Sequence, residues 1–356
     1  MKRILTWILV LAVMLSLCAC GKAGADAGKT GALNQADGAG STATDQTTGV
    51  EYPVTVTDQA GRTVTIEKEP QTLVSGYYIS TSMLIALDQD HKLVGIEAKA
   101  NSRPIYRLSA PALLDLPSVG TAKEFDLEGC AALNPDLVIL PIKLKSAVES
   151  LEQLGIDVIL VNPENTDLLV EAIGILAKVT NSEARAQAWL AFNEKQTAML
   201  NEKGVTTSAT APSVYLAGNS SLLSTSGGMM YQHTVIRSAG GSNVAAALTD
   251  TYWVNIDYEQ LLKWDPAYII LASDAAYTCE DVLKDPNLTN CRAVREGKVY
   301  QMPNTAEAWD SPVPSGVLGS VWLASVLHPD LISAEEAQAV ITEFYEQFYG
   351  FVYPHA

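Results

Sequence analysis

The stretch NSEARAQAWLAFNEKQTAMLNEKG, residues 181–204, decides how the rest of the chain is arranged. Asn181 or Ser182 supplies an N-cap, Glu183 an acidic first turn, and Lys203 followed by Gly204 a helix end. Ala188, Trp189, Phe192, Met199 and Leu200 fall at helical spacings, while Glu183, Arg185, Glu194, Lys195 and Glu202 hold polar positions. The pattern predicts one helix of about 30 Å with one face buried. By itself it suits an ordinary surface helix or a spine between two lobes equally well. The flanking sequence favours the spine.

A chain of 356 residues, 48% of them hydrophobic, is long and apolar enough for two domains with folded cores. A formal charge of −17 argues against a nucleic-acid partner. Lys2 and Arg3 precede the apolar run 4–17, too short for a membrane span but suited to a signal peptide over residues 1–19. The run ends in Leu17-Cys18-Ala19-Cys20-Gly21, which resembles the bacterial lipobox. That resemblance implies that Cys20 is the first mature residue and carries lipid, placing the protein on the extracytoplasmic face of the cell membrane. Residues 20–50 are mostly Gly, Ala, Ser, Thr, Asp, Gln, Asn and Lys and read as a flexible tether reaching about 30 Å. Ala23-x4-Gly28-Lys29-Thr30 within it satisfies a loose phosphate-loop pattern. It lacks the strand before and the helix after that would aim backbone N–H groups at phosphate.

From residue 51 onward β and α patterns alternate. Residues 52–67 alternate Val54/Val56 and Val64/Ile66 around Asp58-Gln59-Ala60-Gly61, a hairpin signal. Strands are expected at 73–76, 93–96, 137–140 and 158–161, with helices at 80–87, 126–133, 146–154 and 167–179 and a polar loop at 99–107. Beyond the spine the pattern returns, with strands at 213–217 and 268–271 and helices at 231–239 and 257–263. Asp126-Leu-Glu leads through Asn134-Pro-Asp-Leu-Val-Ile, and Asp257-Tyr-Glu leads through Trp264-Asp-Pro-Ala-Tyr-Ile-Ile, as one unit used twice. The expected fold is α/β: two lobes, each a mainly parallel sheet flanked by helices, joined by one long helix, with a ligand cleft between them. The boundaries read as 51–180 for the N-terminal lobe, 181–204 for the spine and 205–356 for the C-terminal lobe. An amphipathic helix is expected at 334–351, on a lobe the sequence does not identify.

Several motifs in order carry a family resemblance: Thr57-Asp-x2-Gly-Arg-x-Val-x-Ile, Asp126-Leu-Glu-x4-Leu-Asn-Pro-Asp, Gln153-Leu-Gly-Ile-x-Val, Ala239-Gly-Gly-x-Asn-Val-Ala, Glu259-Gln-Leu-Leu and Gly297-Lys-Val-Tyr. The chain resembles the helical-spine class of substrate-binding proteins of bacterial ABC importers, which includes iron–siderophore, haem and cobalamin binders. The resemblance implies a receptor that works as a monomer, captures a metal chelate and delivers it to a permease with its ATPase. Iron–siderophore is the first expectation; corrinoid, haem and a molybdate-type oxyanion are the alternatives. It also implies that Glu128 and Glu259, one on each lobe's rim, dock on permease arginines. Exposed first-turn glutamates favoured by the helix dipole would look the same.

Loops after strands nominate the cleft. Ser75, Gly76, Tyr77 and Tyr78 follow the first strand, Asn101, Arg103 and Tyr106 the next, and Lys143 a third. The C-terminal half offers residues 224–231, STSGGMMY, with Gly227 and Gly228 for close backbone approach, then Met229, Met230 and Tyr231. Trp253 stands where cobalamin-binding relatives carry a cleft tryptophan, and Trp309 and Asp310 occupy a loop before the last helices. Aromatics with a few polar groups suit a flat or bulky chelate, and Arg103 with Lys143 favours an anionic one. The four histidines show no paired metal-ligand spacing, so no metal site is expected, although His233 lies near the proposed cleft. No cofactor is expected. In an exported protein Cys279 and Cys291 are candidates for a disulfide worth about 3 kcal/mol, with Cys130 buried on a helix. Hydrolase, dinucleotide and metalloprotease motifs are absent, which speaks against an enzyme. A surface adhesin is the remaining rival.

Overall fold

A computed structural model describes residues 50–207, 211–249 and 253–354. The expected signal peptide, Cys20 and all but the end of the tether lie outside the described residues.

The hairpin forms as β1 (Val54–Thr57) paired antiparallel with β2 (Thr63–Ile66). Asp58 closes it: one carboxylate oxygen accepts from the backbone N–H groups of Ala60 and Arg62 at 3.0 and 2.9 Å. The first sheet follows, with β3 (Leu73–Ser75), α1 (Tyr78–Ala86), β4 (Leu93–Ile96), α2 (Pro104–Ser109), α3 (Leu127–Ala132), β5 (Leu137–Pro141), α4 (Val148–Gln153), β6 (Asp157–Val161) and α5 (Thr166–Val179). Its strands run in the order β4-β3-β5-β6, all parallel. Every residue of β5 is buried, because helices cover both faces of the sheet. Leu137 and Ile139 enter the central core, while Val138 and Leu140 join Val158, Leu160 and Leu151 under the outer helices. Each such side chain is worth about 1.5–3 kcal/mol of burial.

The spine α6 (Glu183–Glu202) starts after Ser182 and ends at Lys203, with Gly204 at φ +77°. A left-handed glycine just past the last turn is what the sequence signalled. The buried face carries Trp189, Phe192, Gln196 and Leu200. Arg185 donates to the Ala86 carbonyl of the first lobe, and the Trp189 indole to the Pro314 carbonyl of the second. The helix is fastened at both sides.

The second lobe comprises β7 (Ser213–Ala217), β8 (Ser224–Ser226), α7 (Tyr231–Ser238), β9 (Ser242–Asn243), β10 (Trp253–Asn255), α8 (Tyr258–Trp264), β11 (Tyr268–Leu271), α9 (Cys279–Leu283), α10 (Arg292–Arg295), β12 (Val299–Gln301), α11 (Val317–Leu327) and α12 (Ala334–Tyr349). Its sheet runs β10-β8-β7-β11-β12, with β9 also on β7. Strands β9, β7, β11 and β12 are parallel, whereas β8 pairs antiparallel with β7 and β10 antiparallel with β8.

Three expectations change. Residues 99–107 are largely helical, with Pro104 at the first position of α2, where its missing N–H costs nothing. The stretch 224–231 is not one loop, since its first three residues form β8. Cys279 and Cys291 are free thiols, as is Cys130, which is buried on α3. The lobe left open for the last helix also finds its answer: α12 packs on the spine through Phe344 and Phe348 against Phe192 and reaches both lobes. Tyr349 accepts from Ser109 through its carbonyl, and Tyr345 accepts the Trp309 indole N–H.

Candidate functional site

The first wall of the cleft is built where β3 passes into α1. The hydroxyls of Ser75 and Ser80 donate to the Tyr77 carbonyl at 3.0 and 2.8 Å, and that of Thr81 donates to Glu97 at 2.6 Å. A Cβ on Gly76 would stand 2.6 Å from a Leu140 methyl, so a larger residue here would displace that side chain. Fixed in this way, Tyr77 and Tyr78 meet edge to face, 5.4 Å between ring centres at 75°. The Arg103 guanidinium lies 4.0 Å from the Tyr78 ring centre. Burial drives both phenol pKa values upward, and Arg103 offsets part of it.

The opposing wall comes from the second lobe. Gly218, after β7, lets the Trp253 ring approach to 3.0 Å from where a Cβ would stand. Asp310 accepts from the Ser273 N–H at 3.2 Å, and its carbonyl accepts from the Gln232 side chain at 2.8 Å. Burial raises the Asp310 pKa, opposed by its bonds to Ser273.

Between the walls lies a cavity of about 270 Å³. Tyr77, Tyr78 and Lys143 line it from one lobe; Met230, Tyr231, Trp253 and Asp310 line it from the other. A smaller annex of about 60 Å³ shares Tyr78, Asp274 and Ser311 with it and holds Arg103, Tyr106 and Glu307. Arg103 forms no ion pair among the described residues, and its buried Nε finds no acceptor there. Glu307 accepts from Ser82 of the first lobe and, at 2.5 Å, from Ser315 of the second. Burial raises its pKa against those bonds.

Several nominated residues stand elsewhere. Trp309 is 1% exposed and belongs to the core, its ring 5.6 Å from that of Tyr353. Met229 is 61% exposed and outside the cavity lining. Tyr106 only borders the annex; its hydroxyl is committed to Glu97 at 2.5 Å. Gly227 and Gly228 accommodate the chain itself, since added Cβ atoms would meet the Leu248 and Ala246 carbonyls at 1.8 and 2.3 Å. His233 sits beside Asn243, outside the cleft lining, and burial lowers its pKa. Glu164, Asn219, Asp274, Gln232 and Ser311 line the cleft but were not nominated. Glu164, Asn219 and Asp274 lie just beyond the carboxyl ends of β6, β7 and β11, where the strand-end rule would have found them.

On the rims, Asp126 and Asp257 cap α3 and α8 by accepting from the N–H groups of Gly129 and Gln260, each at 2.8 Å. Glu128 and Glu259 therefore occupy the same second helical position on the two lobes, and both are exposed.

Two α/β lobes on a helical spine, enclosing an aromatic and polar cavity at the carboxyl ends of their strands, define a solute-binding protein. The chain belongs to the periplasmic binding protein family, which it matches over residues 73–306. It is similar to the molybdate-binding protein MolA of Haemophilus influenzae, 26% identical over 320 residues, 83% of this chain and 90% of that one. It is also similar to the Fe(3+)-citrate-binding protein YfmC of Bacillus subtilis, 28% identical over 251 residues, 66% of this chain and 76% of that one. Among solved structures, a periplasmic solute binding protein from Veillonella parvula superposes with a TM-score of 0.74 at 25% identity, covering 85% of this chain and 94% of that one.

Proposed function

We propose that the protein is the lipid-anchored receptor of an ABC importer, holding a metal chelate between its lobes and passing it to a permease with its ATPase. Cys20 carries the lipid, residues 20–50 form the tether, and Glu128 and Glu259 meet the permease. The receptor acts as a monomer. The observation that carries the reading is the pair of aromatic walls, Tyr77 with Tyr78 on one lobe and Trp253 on the other, around one cavity. Flat faces with scattered polar groups favour a bulky, partly apolar cargo.

The charges refine the expectation of an anionic cargo. Lys143 and Arg103 are matched by Glu164 and Asp274, with Asp310 and Glu307 buried beside them. A polyanion would be repelled by the carboxylates as well as attracted by the cations, whereas a chelate of low net charge would not suffer that repulsion. An iron–siderophore complex of that kind is the first reading. A corrinoid fits the same argument, and haem does so less well because no histidine lines the cleft among the described residues. The second reading, a molybdate-type oxyanion, draws support from the similarity to MolA. Calorimetric titration separates them: saturable binding of a ferric chelate with no heat from molybdate supports the first, and the reverse supports the second.

A further inference from the structure

Behind the cleft, where the spine meets both lobes, α5, α6, α7 and α11 enclose a second cavity of about 130 Å³. Leu169, Trp189, Leu200 and Val235 give it apolar walls, the hydroxyl-bearing Thr166, Thr234, Ser238 and Ser320 interrupt them, and no acidic or basic side chain lines it. A charged guest would lose its hydration there and gain no counter-charge. Gln196, only 1% exposed, also lines this space, and its side-chain nitrogen has no acceptor among the described residues. Its polar neighbours along the spine have their donors committed. The Trp189 indole bonds Pro314, the Asn193 amide bonds the Trp189 carbonyl, and the Thr197 hydroxyl bonds the Asn193 carbonyl.

A buried amide N–H without an acceptor is a donor that native proteins satisfy with water or a ligand. The cavity has room for about four waters, which would bond the polar lining but leave the apolar walls hydrated, whereas a guest with an apolar body and one polar group matches both. We infer that this rear cavity is a binding site, distinct from the cleft, for a small neutral molecule with an apolar body and one group that both donates and accepts hydrogen bonds. A hydroxyl or a carboxamide meets that description. Tyr231 is the common wall of this site and the cleft. The inference does not depend on which cargo the cleft holds.

The test follows the Trp189 indole N–H resonance, assigned with Trp189→Phe, while the full chain is titrated with cyclohexanol and separately with cyclohexylammonium. The expected result is a saturable shift with cyclohexanol alone. Gln196→Leu, or Gln196→Met should the first variant fold poorly, weakens binding about tenfold, Val235→Trp abolishes it, and the cleft variant Trp253→Ala leaves it unchanged. Absence of a saturable shift, meaning a cavity filled by water only, overturns the inference. So does equal binding of the ammonium ion, or binding that survives both Gln196→Leu and Val235→Trp.

Discussion

The guanidinium of Arg103 lies 4.0 Å from the centre of the Tyr78 ring, and that ring borders both the main cavity and its annex. A single stacked pair thus holds a cation at the junction of the two spaces. Stacking of this kind is worth about 0.5–2 kcal/mol, more when desolvated. Arg103→Ala should raise the dissociation constant of the cleft ligand by about tenfold or more, and Arg103→Lys should recover only part of it, since lysine lacks the flat fork. Calorimetric titration of the three proteins with one chelate checks this.

Two tryptophans separate binding from stability. Trp309→Ala removes a fully buried side chain and should cost about 3–5 kcal/mol, whereas Trp309→Phe strands the Tyr345 hydroxyl for about 1 kcal/mol. Trp253, 39% exposed at the cleft, should cost about 1 kcal/mol or less when replaced by alanine, yet abolish most chelate affinity. Urea unfolding and ligand titration on the same preparations give both readings.

Glu307 and Asp136 impose opposite pH dependences. Burial raises the Glu307 pKa above its ordinary 4.5, so the folded state holds that proton more tightly than the unfolded chain does. Its contribution to stability is full below that value and is lost as pH rises through the folded pKa. Glu307→Gln should therefore flatten the fall in thermal midpoint on the neutral side. For Asp136, burial opposes ionisation but is outweighed by bonds from Gln71, Lys68 and Thr72, which bring the pKa down from 3.8 to about 2. Its contribution is present above 3.8 and lost as pH falls toward 2, so Asp136→Asn should remove that acid-side slope and destabilise the neutral protein by about 1–2 kcal/mol. Midpoints measured across the pH range for both variants test the two signs.

Glu128 and Glu259 are exposed, and neither lines the cleft. The double variant Glu128→Lys/Glu259→Lys should leave chelate affinity and thermal midpoint nearly unchanged while reducing uptake through the reconstituted permease about tenfold or more. Uptake unaffected by the reversal would remove these residues from the docking account.

The fold was legible where periodicity and terminal signals agree. The spine is the clearest case, with Trp189, Phe192 and Leu200 facing inward and Gly204 left-handed at its end. The hairpin appears where alternation and turn residues put it, and strand β11 where the repeated unit put it. What sequence could not show is which way an aromatic points. Trp253 and Trp309 occupy similar loop-edge contexts, but Trp309 is drawn inward by Tyr345 and Tyr353 from α12 and the segment after it, a partner more than thirty residues away. Likewise Gly227 and Gly228 signalled close approach correctly, but what approaches them is the backbone at Ala246 and Leu248. The short strand β8 escaped notice because Ser224–Ser226 has no apolar alternation and is held by pairing with β10.

The measurement that bears most directly on the central claim is calorimetric titration of the chain with a ferric hydroxamate, cobinamide, haem, ferric citrate and molybdate, repeated on Trp253→Ala. The account predicts saturable one-to-one binding of a chelate of low net charge, weakened about a hundredfold in the variant, which corresponds to about 2.7 kcal/mol. Saturable binding of molybdate alone, or chelate binding that Trp253→Ala leaves intact, would contradict it.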